Sequence, residues 1–333
     1  MHLAYLLFLL SAFLAQQTVR GTVVDSFKNS NCRKFFYEKE EPAGFNSQNY
    51  ARVCQTFRNR IYFASLYDKT RRIPLYSASL YNYKDPNDTS SETTEKNWKY
   101  EPQVSLPILI LRLALVSRVL CSFQLVNHTK GDNMEKITEN VKNDPKVRDS
   151  QPVEIDYQMK YYNMYYTRGH LVPNSFMASP SSKSATFTVS NAPPQPRGFN
   201  QKQWSEKEEE IAKKLDASCH VVSGVLPYET EKWIPEDRHR VAVPQFVWMA
   251  YKCPNIPPAA VLGYSDGNAP VDFDFGQGCK VKLKPKEIKD ITVSCLESIL
   301  ASRIPSQSAY RIFTSGCGAH HSNIAEGTSW EQC

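Results

Sequence analysis

Two neighbouring stretches decide the reading of the fold: DYQMKYYNMYYTRGHLVP at 156–173 and TFTVSNAPPQPRGFNQKQW at 186–204. Strand or loop gives way here to a segment, 201–215, that reads as strongly helical. A helix turns by about 100° per residue, which puts Asn200, Trp204, Glu208, Ile211 and Leu215 within one narrow arc. Trp204, Ile211 and Leu215 make that arc the buried face, so Asn200 and Glu208 carry polar groups along a stripe that should be apolar. Such placement is costly unless they find partners. The plainer alternative is that Asn200 caps the helix and Glu208 is a solvated member of the SEKEEE charge run at 205–210.

Just upstream stands Arg168-Gly169-His170. The glycine lets the backbone turn tightly and brings a guanidinium close to an imidazole. Arginine can hold a phosphate, and a neutral imidazole can take a proton from water at ordinary pH. Histidine in isolation is more often a structural hydrogen-bonder. NAPPQPRGFN at 191–200 is a proline-rich connector that cannot continue a strand and delivers the chain to the helix start. The specificity lies in the order: RGH, then S-N-x-x-P-Q, then F-N-Q-x-x-W-x-x-x-E opening a helix.

Outward from this centre, RIYFASLY at 60–67 and LYSASLYNY at 75–83 flank DKTRRIP, which carries turn chemistry, and read as a hairpin. The polar stretch 84–102 reads as a surface loop. HVVSGVLP at 220–227 and RVAVPQFVWMAYKC at 240–253 read as strands, residues 286–302 as a late helix, and AYRIFTSG at 309–316 as a final strand. Mixed content of this kind fits an α+β fold. No GxSxG, P-loop or dinucleotide glycine pattern occurs in its proper context.

The chain has 333 residues, 41% of them hydrophobic, enough for one large core. An apolar run at 3–15 is short for a membrane span and suits a signal peptide, with cleavage expected after Gly21 and a single domain over 22–333. Nine cysteines with no CxxC pair point to disulfides in an oxidising compartment rather than to a zinc cage. The odd count leaves one thiol over, assigned to Cys121; the connectivity itself is not legible. With a secretory route, Asn87 and Asn127 become glycosylation acceptors and the expected location is extracellular. A formal charge of +6 favours polyanionic partners but is common among proteins that bind none.

An apolar stretch at 106–126, within an atypical insertion at about 103–130, resembles nothing around it. It carries Arg112 and Arg118, each costing roughly 2.5–3.5 kcal/mol at the centre of a span, so no stable membrane span is expected. A buried helix and a translated intron are the alternatives.

Taken together, these motifs resemble the DNA/RNA non-specific endonuclease family, the ββα-metal (His-Me finger) nucleases. Within it the chain is similar to the secreted endonuclease domain-containing 1 branch, through CRKFFY, FASLYDKTRRIPLYSA, NWKYEPQ, YTRGHLVP and VVSGVLP. The resemblance implies a central antiparallel sheet with flanking helices and hydrolysis of DNA and RNA with little sequence preference. His170 then matches the general base, and Asn200 the single side-chain ligand of Mg2+, with Mn2+ or Ca2+ as alternatives. Glu208 matches the acid that hydrogen-bonds the waters around the ion, and Arg168 a phosphate-binding or bracing arginine. Asn191 is a structural asparagine of the loop, and Gly169 and Trp204 complete the frame.

Three departures qualify this expectation. Thr167 stands where the family motif has aspartate before Arg-Gly-His. Ala212 replaces a basic residue one turn after the glutamate, and Lys96 best matches an upstream substrate-binding arginine, without a guanidinium's bidentate reach. The apolar stretch interrupts the chain between Lys96 and His170; without it, eight cysteines would remain. These departures keep open a second class of function, an inactive or weak nuclease fold that binds nucleic acid or an extracellular partner.

Overall fold

Branched and aromatic runs pair into one large antiparallel sheet. The structure, a computed structural model, describes residues 23–89, 93–101, 133–158, 160–276 and 278–314. Along the chain come strands β1 (Val23–Val24), β2 (Tyr50–Phe57), β3 (Arg60–Asp68) and β4 (Ile73–Leu80), then the short β5 (Lys99–Tyr100), β6 (Glu135–Lys136), β7 (Lys160–Tyr161), β8 (Met164–Arg168) and β9 (Pro194–Pro196). There follow β10 (His220–Ile234), β11 (Val241–Cys253), β12 (Ile256–Tyr264), β13 (Val271–Asp274), β14 (Lys280–Leu283) and β15 (Ile288–Ile291). The helices are α1 (Glu139–Asn143), α2 (Pro145–Ser150), α3 (Pro180–Ala185), α4 (Ser205–Ala212) and α5 (Val293–Arg303).

The main sheet has eight strands in the order β1-β2-β3-β4-β10-β11-β12-β15, and each neighbouring pair is antiparallel. The expected hairpin is β3–β4. Asp68 shapes its turn by accepting the N–H groups of Thr70 and Arg71 at 2.9 and 3.0 Å.

Both faces of this sheet are covered, which explains why its central strands read as unbroken apolar runs. In β11, Phe246, Trp248 and Ala250 enter one core while Val247, Met249 and Tyr251 enter the other. Leu296, Ile299 and Leu300 of α5 cover the first face, and Phe199, Trp204 and Ile211 dock on the second. Each of these large side chains is removed from water almost completely, worth about 1.5–3 kcal/mol apiece. Gly263 in β12 makes the second docking possible, because a Cβ there would lie 2.9 Å from the Phe199 ring.

β4 and β10 are neighbours in the sheet although far apart in sequence. The described residues between Leu80 and His220 therefore form one excursion from the sheet, most of it over the second face, closed at its neck by Tyr81 N–H donating to the Cys219 carbonyl at 3.0 Å. Disulfides join Cys32 to Cys54, Cys219 to Cys253 and Cys279 to Cys295. Cys121, Cys317, Cys333, Asn127, the segment 1–21 and the apolar insertion lie outside the described residues. Asn87 is exposed in a turn. No helix among the described residues is long and apolar enough to cross a membrane.

The structure corrects four local expectations. Residues 286–302 are not one helix: Ile288–Ile291 pairs with β12, and α5 begins only after Thr292, whose side chain accepts the Cys295 N–H at 3.1 Å. Of the run AYRIFTSG, the described residues 309–314 make a single bridge, Arg311 with Ala43, instead of a strand. Within the polar stretch 84–102, Lys99 and Tyr100 pair with β6. The helix expected over 201–215 begins as a π-helix at Phe199–Trp204 and ends its α part at Ala212; single π turns favour functional sites because they re-aim side chains.

Candidate active site

β8, β9 and the helix after them form a small ββα unit on the second face. Tyr166, Thr167 and Arg168 pair with Pro196, Gln195 and Pro194. The ladder runs on beyond the strands: Gly169 N–H donates to the Pro193 carbonyl at 3.1 Å and Leu171 N–H to the Asn191 carbonyl at 2.9 Å. Asn191 is fully buried and grips the far side of the turn. Its Oδ1 accepts Val172 N–H at 3.0 Å, and its Nδ2 donates to the Val172 and Thr186 carbonyls at 3.2 and 3.1 Å. A Cβ at Gly169 would lie 2.3 Å from the Gln195 amide, so a larger residue there would force that buried side chain to shift. His170 is thus held in a turn clamped at both ends.

Asn200 stands inside the first turn of the helix and does not cap it; the cap position belongs to Gly198. Its Nδ2 donates to Thr167 Oγ1 at 3.0 Å, and the Thr167 hydroxyl donates onward to the Gln195 carbonyl at 3.3 Å. Because the hydroxyl proton is committed to that carbonyl, the oxygen can only accept, which orients the amide. Asn200 Oδ1 is left without a partner among the described residues. Two turns on, Glu208 is half-buried; burial pushes its carboxyl up to about 8, opposed by a hydrogen bond from the Trp204 indole.

The His170 ring meets Phe187 edge-on at 4.8 Å and leans on Trp98 at 5.1 Å. Its Nε2 is buried without a partner, and desolvation lowers its pKa to about 4, so the imidazole is neutral at physiological pH. The Arg168 guanidinium lies between Trp98 and Tyr157, 5.0 Å from each ring centroid, with Nε unpartnered. Trp98 therefore braces both members of the Arg-Gly-His string. It arrives through β5: Lys99 N–H donates to the Phe187 carbonyl at 2.9 Å, setting Trp98 beside the ring of Phe187.

Lys96 is exposed on the loop before β5 and is not brought into this cluster. Nearby Lys99 is fully buried, its Nζ donating to the Asn97 and Ser184 carbonyls at 3.1 and 2.8 Å, and desolvation lowers its pKa to about 8. Ala212 packs against the second core. Trp98, Tyr157, Phe187 and Gln195 escaped the sequence reading as side chains of the site. The available signals were an aromatic residue in the polar NWKYEP loop and a glutamine between two prolines. Gln195 is fully buried with both amide atoms unpartnered.

Among the described residues no three His, Cys, Asp or Glu side chains cluster to hold a metal. The oxygen donors present, Asn200 Oδ1 and the Glu208 carboxyl, suit a hard cation that keeps most of its shell as water.

The model of the DNA/RNA non-specific endonuclease family matches residues 112–288, just over half the chain. The human protein named endonuclease domain-containing 1 protein is 29% identical over 225 residues, covering 67% of this chain and 38% of its own length. The mouse protein of the same name is 24% identical over 228 residues with the same coverage. This chain accordingly spans 38% of the length of these curated relatives. A chain from the crystal structure of the EndoG/EndoGI complex superposes with a TM-score of 0.36 at 13% identity, over 73% of this chain and 82% of that one. By the extent of the family match, the chain belongs to the DNA/RNA non-specific endonuclease family.

Proposed function

We propose that the chain is a divalent-metal-dependent endonuclease, secreted, that hydrolyses phosphodiester bonds of DNA and RNA. The observation that carries this reading is the Asn200–Thr167 hydrogen bond, 3.0 Å, which ties the helix start to the strand that ends at Arg168, two residues before His170. It sets a free amide oxygen and a free imidazole nitrogen on the two arms of one ββα unit.

His170 acts as general base. Its neutral Nε2 takes a proton from the attacking water, and Arg168, always charged, holds a phosphate oxygen. Lys96, exposed on the loop before β5, meets a more distant phosphate. Asn200 would hold Mg2+, Mn2+ or Ca2+ through Oδ1, with Glu208 orienting the ion's waters; when bound, the ion withdraws charge from the phosphate. Water adds to phosphorus, the ester P–O bond breaks, and the leaving oxygen ends protonated. The test is nicking of plasmid DNA and cleavage of RNA with Mg2+ and with EDTA, comparing wild type and His170→Ala. Equal residual signals from the two proteins would sink the reading.

The second reading, a weak or inactive nuclease fold that binds nucleic acid, is favoured by Thr167, which carries no charge beside Arg168 and His170. Salt-sensitive binding without cleavage would support it.

A further inference from the structure

The short sheet β7-β8-β9 presents a row of side chains that the catalytic reading leaves unused. Lys160 pairs with Tyr165 across β7 and β8. On the other side Tyr166 pairs with Pro196, so Arg197, the next residue, comes opposite Tyr165. The Lys160 ammonium lies 5.1 Å and the Arg197 guanidinium 5.2 Å from the centre of the Tyr165 ring.

Three features of this row point to a ligand. Tyr165 is 42% exposed, unusual for a large aromatic side chain in a strand of this fold. Both cations are exposed, and neither has an ion pair among the described residues, so two like charges crowd one ring with no acid between them. Tyr165 also shares its face of β8 with Thr167, the partner of Asn200, because alternate residues of a strand point the same way. The two side chains are therefore separated by about 7 Å along the strand. Between Arg197 and Asn200 the surface is open: a side chain at Gly198 would meet nothing within 4 Å.

An unpaired nucleotide supplies what this row lacks, a planar ring to stack on the tyrosine and phosphates to separate the two cations. We propose that Lys160, Tyr165 and Arg197 form a landing site for the unpaired nucleotide next to the scissile phosphate, which makes single-stranded or locally unpaired nucleic acid the preferred substrate class. The proposal rests on the nuclease reading and deepens it. Duplex nucleic acid, whose bases are already stacked on one another, would use the cations and leave the ring idle.

The test is binding rather than cleavage: fluorescence anisotropy of the full chain with a labelled 20-nucleotide single strand and with its duplex, in EDTA. For Tyr165→Ala we expect about tenfold weaker binding of the single strand and less than twofold for the duplex. Lys160→Glu with Arg197→Glu is expected to weaken both by tenfold or more and to flatten the salt dependence of single-strand binding by about 1.4 log units per log unit of salt, at about 0.7 for each phosphate contact. Lys280→Glu, a charge reversal on the β13–β14 hairpin, controls for net charge and should leave binding unchanged. Thermal melts report whether each variant is folded. Wild-type binding of the single strand that either Tyr165→Ala or the double reversal leaves unchanged would overturn this proposal alone, as would an effect of Lys280→Glu equal to that of the double reversal. Wild type that neither binds nor cleaves would overturn the nuclease reading, and this proposal with it.

Discussion

The two faces of the main sheet are covered in opposite ways. On one, α5 lays Leu296, Ile299 and Leu300 over alternating apolar residues, and Cys279–Cys295 ties the start of that helix to β14. On the other, the excursion between β4 and β10 brings short strands, 3-10 turns and a π-helix. Its buried atoms without a partner among the described residues include Glu101 Oε2, the Tyr157 hydroxyl, Arg168 Nε, His170 Nε2 and the whole Gln195 amide. Those of the first face include the Tyr76 hydroxyl, the Trp248 indole and Arg303 Nε at the end of α5. One side is built to be stable. The other gathers such atoms of Arg168, His170 and Gln195 around one turn, each costing about 1–3 kcal/mol until water or a ligand meets it.

Substitutions should separate these roles. His170→Ala is expected to lower nuclease turnover by about a hundred- to ten-thousand-fold while the melting temperature holds, because the imidazole nitrogen it removes has no partner. Equal loss of turnover and stability would break the contrast. Leu296→Ala should do the reverse, costing about 2–5 kcal/mol in urea unfolding with the specific activity of the folded fraction retained.

pH should act through the excursion as well. Glu101 is fully buried, and desolvation raises its carboxyl to about 8, offset in part by hydrogen bonds from Ser190 and Thr188. The folded state thus retains a proton that the unfolded chain releases near its ordinary carboxylate value. Stability from this group is complete below about 4.5 and falls by about 1.4 kcal/mol per pH unit as pH rises toward 8. Glu101→Gln should flatten urea midpoints across that window, and an unchanged slope would remove Glu101 as the cause. The smallest effect is expected from Trp98→Ala, roughly tenfold in turnover. It opens His170 to water, so the imidazole titrates closer to 6.5 than to about 4 and the acidic limb of activity moves to higher pH. Imidazole NMR across pH 3–8 would measure that shift.

Much of this was legible in order of residues alone. The β3–β4 hairpin, β10 and β11 announced themselves through branched and aromatic runs around turn chemistry. Of the expected arc, Trp204 and Ile211 enter the second core, Asn200 and Glu208 are half-buried, and Leu215 lies beyond the end of the helix, whose first turn is π. The segment 286–302 misled because Ile288–Ile291 is apolar enough to extend a helical pattern, and only β12 beside it offers the backbone a ladder. Thr167 looked like a lost charge. In the folded chain it accepts the Asn200 amide N–H and so leaves the Asn200 amide oxygen free.

By itself the sequence determined the alternation that builds a two-faced sheet, the polar residues on a buried helical stripe, and the Arg-Gly-His string with its glycine. Periodicity reports which way a side chain points, and that is a local property of the backbone. Only the tertiary structure decided whom each side chain meets. Trp98 and Tyr157 close on Arg168, and Phe187 on His170, because β4 and β10 are sheet neighbours and the chain between them must fold back over one face. Contacts of that kind depend on how distant strands pair, which no run of adjacent residues encodes.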